Sequence, residues 1–325
     1  MISRRLALTG MAAVPIGRPA RAVRVTPTVR HVSVLVGATA GSGFDTAARA
    51  FVPFLERFMP SLEFAVRNVP GEAGMHAIKA LMGAPPNALT LGWIATPTLS
   101  ARTVDRQDDT PMQRLRLLGG ITREPVAFVS PAAAPLDSVQ DMIQRAGADR
   151  DAIPLGTPPP GSPPHLALLR LQLVAQTRLN IVTFPSAAAA TQAVLAGNVS
   201  AAALGLSDAI ESLRAQKLVG LGIAARNRFG ILPDLPMLQE AGVNLSATIR
   251  RGLAAPVGLN AEMASRLTAA MQGIAADPDF KALADDRGFL ATWLDGPAWT
   301  AIVERERADL GKLWATEPWL PSSGG

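Results

Sequence analysis

Two glycine- and proline-rich loops carry the residues best placed to do chemistry. The first, Ala38-Thr39-Ala40-Gly41-Ser42-Gly43-Phe44-Asp45, follows the apolar run His31 to Val36 and precedes an amphipathic stretch. Small side chains let backbone amides approach a ligand, and amides at the start of a helix favour an anion. The second loop, Thr157 to His165, has the same strand-to-helix setting. Its prolines remove amide donors, which leaves Thr157, Gly161 and Ser162 as its contacts. In open parallel sheets ligands sit beyond the carboxyl ends of the strands, where such loops lie. Each loop taken alone also has a plainer reading. Gly41-x-Gly43 makes a tight turn, Asp45 caps the following helix, and His165 is a structural residue in an apolar helix.

Enzyme signatures are missing. Gly41-Ser42-Gly43 resembles part of a nucleophile elbow, but G-x-S-x-G is not satisfied and no His/Asp order supports a triad. Neither a P-loop nor a dinucleotide-binding glycine pattern occurs. Without cysteine there is no thiolate nucleophile or disulfide, and three scattered histidines have no metal-ligand spacing. No metal or cofactor is therefore expected, and no catalytic residue.

The net charge of +5 is concentrated at one end. Arg4, Arg5, Arg18 and Arg21 fall in the first 22 residues, which hold no acid. The remainder is close to neutral with its signs interspersed, so a nucleic-acid partner is not expected. Residues 1–22 run from a basic start through an apolar stretch to Ala20-Arg21-Ala22, the order of an export signal cleaved near Ala22. Ser3-Arg4-Arg5-Leu6 resembles the twin-arginine type. The expected location is the periplasm, with a mature chain starting at Val23.

The elements that must position the two loops follow from periodicity. Short β-branched runs alternate with amphipathic stretches, for example Ala48, Phe51, Phe54 and Leu55 on one helical face. The β-loop-α-β order begins at His31, restarts near Pro125, and ends in a stretch read as helical from Ala261 onward. The expected class is α/β with two lobes, each a mostly parallel sheet with helices on both faces, and a cleft between them. The first lobe is placed at 23–123 with 252–325, and the second at 124–251. The chain crosses between them near Leu117 to Pro125 and near Ile249 to Pro256.

Taken together, these segments resemble the Bug family, the substrate-binding proteins of tripartite tricarboxylate transporters. Leu35 to Asp45 is similar to the family's I-V-P-F-x-x-G-G-x-x-D, and Asn68-Val69-Pro70-Gly71-Glu72-Ala73-Gly74 to its N-x-P-G-x-G-G. Thr157 to Leu166 is similar to a Ser/Gly-rich loop ending in H-L-A, and Val182 to Ser186 to V-P-Y-x-G. The most specific match runs from Arg228 through Leu232-Pro233-Asp234-Leu235-Pro236 to Glu240-Ala241-Gly242, followed by Gly252-Leu253-Ala254-Ala255-Pro256.

The resemblance implies a type II-like periplasmic binding protein that closes two lobes around a small carboxylate, acts as a monomer and docks on integral membrane subunits. It places the first-lobe contacts at Thr39, Ala40, Gly41 and Ser42. The second-lobe contacts are Thr157, Gly161, Ser162, His165, Ser186 and Ala187. Asp45 matches the family's acidic loop residue, which holds a ligand hydroxyl or amine or only caps the helix. Several positions depart from the family. Gly37-Ala38 replaces Pro-Phe, Pro158 to Pro160 replace donors, and Ala203-Leu204-Gly205 replaces F-D-N. A less polar second wall is expected, suited to a monocarboxylate with an apolar and even aromatic body. Two rival classes remain: a module presenting ligand to a receptor kinase, and an enzyme using Asp45 or His165.

Overall fold

A computed structural model describes residues 30–320. The export signal expected at residues 1–22 lies outside the described residues. The first apolar run forms β1 (Arg30–Val36), and Ser42 then caps α1 (Gly43–Phe58), accepting the amide of Asp45 on its hydroxyl. The capping residue is thus Ser42 rather than Asp45. Helix α1 turns Ala47, Ala48, Phe51, Val52 and Leu55 into the core, the spacing of a single apolar stripe. Next come β2 (Leu62–Asn68), a 3₁₀ turn at Glu72–Gly74, α2 (Met75–Met82) and β3 (Thr90–Thr96). Two short helices follow, α3 (Thr98–Asp105) and α4 (Thr110–Arg114).

The strand β4 (Leu115–Pro131) is 17 residues long and links two sheets. Beyond it lie α5 (Val139–Ala148), β5 (Pro154–Thr157), α6 (Pro163–Ala175), β6 (Asn180–Thr183), α7 (Ala187–Leu195), β7 (Ala201–Gly205), α8 (Leu206–Arg214) and β8 (Leu218–Ile223). The chain returns through β9 (Thr248–Pro256) to α9 (Ala261–Ala276), α10 (Pro278–Asp286), β10 (Leu290–Asp295) and α11 (Gly296–Thr316).

The strand order is β2-β1-β3-β9-β4-β7-β5-β6, with β8 and β10 also paired to β4. Up to Pro125, β4 pairs with β9 and β10; from Val126 it pairs with β7 and β8. Two sheets with separate cores are therefore joined through β4, with β9 beside it. One core packs α1, α9 and α10 on the first sheet, where Phe51 stacks on Trp93 at 5.4 Å and meets Phe280 edge-on at 6.1 Å. The second sheet is covered on both faces by two further clusters, built around Phe128 and Leu168 and around Leu204 and Ile210.

The α/β binding-protein class expected from the sequence is the observed one, and three details differ. The sheets are mixed: β1 with β2 and β3, and β5 with β6 and β7, run parallel, whereas every partner of β4 is antiparallel. The reason is that β9, returning the chain, runs against β3 in the first sheet, while β4, which runs with β1–β3 there, continues into the second sheet against β7. Helix α3 was not expected, because its buried face carries Ser100, Arg102 and Thr103 instead of an apolar stripe. The tail is not all helical: β10, a half-buried strand, pairs with Gly119 to Arg123 of β4.

Candidate functional site

Three helices that follow parallel strands point their first turns at one cavity of about 230 Å³. Each begins with a serine cap that lines it: Ser42 on α1, Ser162 on α6 and Ser186 on α7. In each case the hydroxyl accepts the amide three residues on, of Asp45, His165 or Ala189. First-turn amides have no partner inside their own helix, and the aligned peptide dipoles leave partial positive charge there. The amides of Phe44 and Ala187 are of this kind. In α6 the first two positions are Pro163 and Pro164, which have no N–H to give. The anion-binding capacity is thus centred on α1 and α7.

The first loop is held from behind. The Asn68 amide donates to the carbonyl of Ala38 at 2.9 Å and to the Asp45 carboxylate at 2.8 Å. Asp45 also accepts the amide of Gly41 and the Nε of Arg49, both at 2.9 Å. Burial alone would raise the Asp45 carboxyl, but hydrogen bonds from Arg49, Gly41 and Asn68 outweigh it and hold it below the usual value. Asp45 is buried with its acceptors occupied, so it shapes the loop.

The second loop leans on α3. Arg102 of α3 is paired with Asp105 at 2.6 Å and donates to the carbonyl of Pro160 at 3.0 Å. Gly161 sits at φ +75, and a Cβ there would lie 1.6 Å from an Arg102 nitrogen, so only glycine fits. The Gly161 amide donates to Nδ1 of His165 at 3.4 Å. Burial, with the neighbouring Arg102 charge, pushes the His165 imidazole down to about 4, so it is a neutral acceptor at pH 7.

Of the contacts expected from the sequence, Thr39, Ser42, Ser162, Ser186 and Ala187 line the cavity. Asp45, Thr157, Gly161 and His165 do not line it and are buried in the scaffold of the two loops, while Ala40 and Gly41 are exposed on the first loop outside it. The remaining wall is apolar in part, from Ile78, Trp93, Ile94 and Leu99.

It is also charged, where a less polar second wall was expected. Asp208 of α8 and Arg251 of β9 both line the cavity. Thr122 of β4 lies opposite Arg251, which sets Glu124 and Arg251 diagonally on one face of the two strands. There they form a buried ion pair, and Glu124 also accepts the amide of Ser207 at 2.8 Å. Asp208 accepts the amide of Gly43, the first residue of α1, at 2.7 Å. Burial, reinforced by the Glu124 charge, pushes the Asp208 carboxyl up to about 6. The guanidinium of Arg251 stands 5.7 Å from the Phe44 ring centroid. The only signal in the sequence was Arg250-Arg251 interrupting an otherwise apolar strand.

Among the described residues no group of acids and histidines is arranged to hold a metal ion, and no helix is long and apolar enough to cross a membrane.

Solved structures share this architecture. They include adipate-bound Rpa4515 of R. palustris, with a TM-score of 0.83 and 21% identity over 88% of this chain and 97% of that one. The periplasmic binding protein BugD gives a TM-score of 0.80 and 19% identity over 88% and 97%. MatC of Rhodopseudomonas palustris with bound malate gives 0.79 and 22% over 88% and 99%. The family model for the tripartite tricarboxylate transporter family receptor matches residues 62–308. A chain with this fold, this cavity and a family match over most of its length is a solute-binding receptor and not an enzyme; it belongs to the tripartite tricarboxylate transporter receptor family.

Proposed function

We propose that this receptor captures a small organic carboxylate in the cavity lined by Ser42, Ser162 and Ser186 and delivers it to membrane subunits of a tripartite tricarboxylate-type transporter. The observation that carries this reading is the convergence of three serine-capped helix N-termini on one cavity. Charged hydrogen bonds contribute about 1.5–3 kcal/mol each, so three or four around one carboxylate reach about micromolar affinity. Adipate in Rpa4515 and malate in MatC support the ligand class. The apolar wall of Ile78, Trp93, Ile94 and Leu99 favours a ligand with a hydrocarbon body.

Residues 23–123 with 252–325 and residues 124–251 would act as two lobes that close on the ligand by bending at β4 and β9. Residues 1–22 would direct the chain to the periplasm, where it works as a monomer. The test is a thermal-shift screen of the purified protein against mono-, di- and tricarboxylates, aromatic acids and amino acids. Binding to the folded state alone adds about 2.7 kcal/mol at a hundredfold excess over Kd. A rise in Tm with at least one carboxylate-bearing ligand supports the reading, and no rise with any of them overturns it.

A further inference from the structure

Resting on the carboxylate-receptor reading, we propose that the ligand is a zwitterionic α-amino acid, whose ammonium group is taken by Asp208 and whose carboxylate is taken by Arg251 together with the first turn of α1.

The two charged residues have unmet hydrogen-bonding capacity of opposite kinds. The Arg251 side chain is 3% exposed and gives one hydrogen bond, from Nη2 to Glu124. Its Nε and Nη1 are buried without an acceptor among the described residues. A guanidinium stays charged, and buried unpaired N–H groups are unfavourable, so an anionic acceptor in the cavity completes it. It stands beside Phe44, whose amide belongs to the first turn of α1, so one carboxylate can be held from both sides.

Asp208 supplies the complement. One of its oxygens accepts the amide of Gly43. The other, Oδ2, faces Gly205, which also lines the cavity, and a Cβ at Gly205 would come within 3.1 Å of it. Glu124 already balances Arg251, so an ionised Asp208 leaves one negative charge in excess at the cavity wall. A plain mono- or dicarboxylate adds to that excess. An ammonium group cancels it, and its three donors can satisfy Oδ2. A ligand with both groups on adjacent atoms leaves neither Arg251 nor Asp208 unpaired, while its side chain lies along Ile78, Trp93, Ile94 and Leu99.

Isothermal titration tests this with apolar L-α-amino acids such as leucine and phenylalanine, each against its des-amino analogue, 4-methylpentanoate or 3-phenylpropanoate, at pH 7.5. The expected result is that one amino acid binds about a hundredfold more tightly than its analogue. Asp208→Asn, which keeps an acceptor for Gly43, should cut that ratio to less than about tenfold, weakening the amino acid and tightening the analogue. An analogue that binds as tightly as its amino acid overturns the zwitterion proposal and leaves the carboxylate reading standing. An unchanged ratio in Asp208→Asn removes Asp208 from recognition and overturns it too. If neither kind of acid binds, the zwitterion proposal is overturned, and the carboxylate reading is decided by the wider thermal-shift screen.

Discussion

Replacing Asp208 with asparagine removes an acid that the fold holds away from water, and the consequence should be visible in stability against pH. The Asp208 carboxyl is pushed from 3.8 up to about 6. The folded chain therefore holds this proton more tightly than the unfolded chain does. The resulting stabilisation is fully present below pH 3.8 and is lost as pH rises through about 6. Each unit of separation is worth about 1.4 kcal/mol, so the effect is about 2–3 kcal/mol for a carboxylate with one edge on the cavity. His165 acts in the opposite sense. Its imidazole is depressed from 6.5 to about 4, so its contribution is present above pH 6.5 and lost as pH falls through about 4, by about 3 kcal/mol. In the wild type these two groups nearly cancel between pH 4 and pH 6. In Asp208→Asn only the His165 loss remains. The variant should match or exceed wild-type stability at pH 7.5, then lose about 2–3 kcal/mol more than wild type on acidification to pH 4, the missing Asp208 contribution. Urea unfolding followed by circular dichroism at pH 7.5, 6, 5 and 4 measures both arms. A variant that tracks the wild type at every pH, or is destabilised most at pH 7.5, would refute the reasoning.

Two further substitutions probe the scaffold. Gly161→Ala places a Cβ 1.6 Å from an Arg102 nitrogen at φ +75, and should destabilise by about 2–4 kcal/mol in urea unfolding, while Gly230→Ala, which meets nothing, serves as the neutral control. Arg251→Met leaves Glu124 buried without its cation and should lose about 3–5 kcal/mol. The double variant Arg251→Met with Glu124→Gln should regain most of that stability; a double variant as unstable as the single one would show that the pair is not the source.

The legible parts of this chain are those whose physics is local. The apolar stripe of α1, the strand-to-helix loops, and the prolines at the start of α6 could all be read from neighbouring residues. The serine caps lie within the two loops and the Ser186-Ala187 turn singled out from sequence, although Asp45 was read there as a cap and proves to be a brace. Helix α3 was hidden because Arg102 and Asp105 look solvated until their partners are known, Pro160 for one and Trp319 for the other. The charged part of the cavity was hidden for the same reason over longer separations. Glu124 and Arg251 are 127 residues apart, and Gly43 and Asp208 are 165 apart. Such partners meet only once β4 and β9 have brought the two sheets together, and no periodicity in one segment reports on them. Gly161 and His165 were expected as ligand contacts, and the close approach of Arg102 that sets their surroundings belongs to the tertiary structure.

The most direct test of the receptor account is calorimetric titration of the wild type and of Ala187→Trp, which fills the cavity at the start of α7. The account predicts that the wild type binds one small carboxylate-bearing ligand per chain and that Ala187→Trp, melting at an unchanged temperature, binds none. Undiminished binding by Ala187→Trp would place the ligand elsewhere, and the absence of binding heat in the wild type with every acid tried would contradict the account.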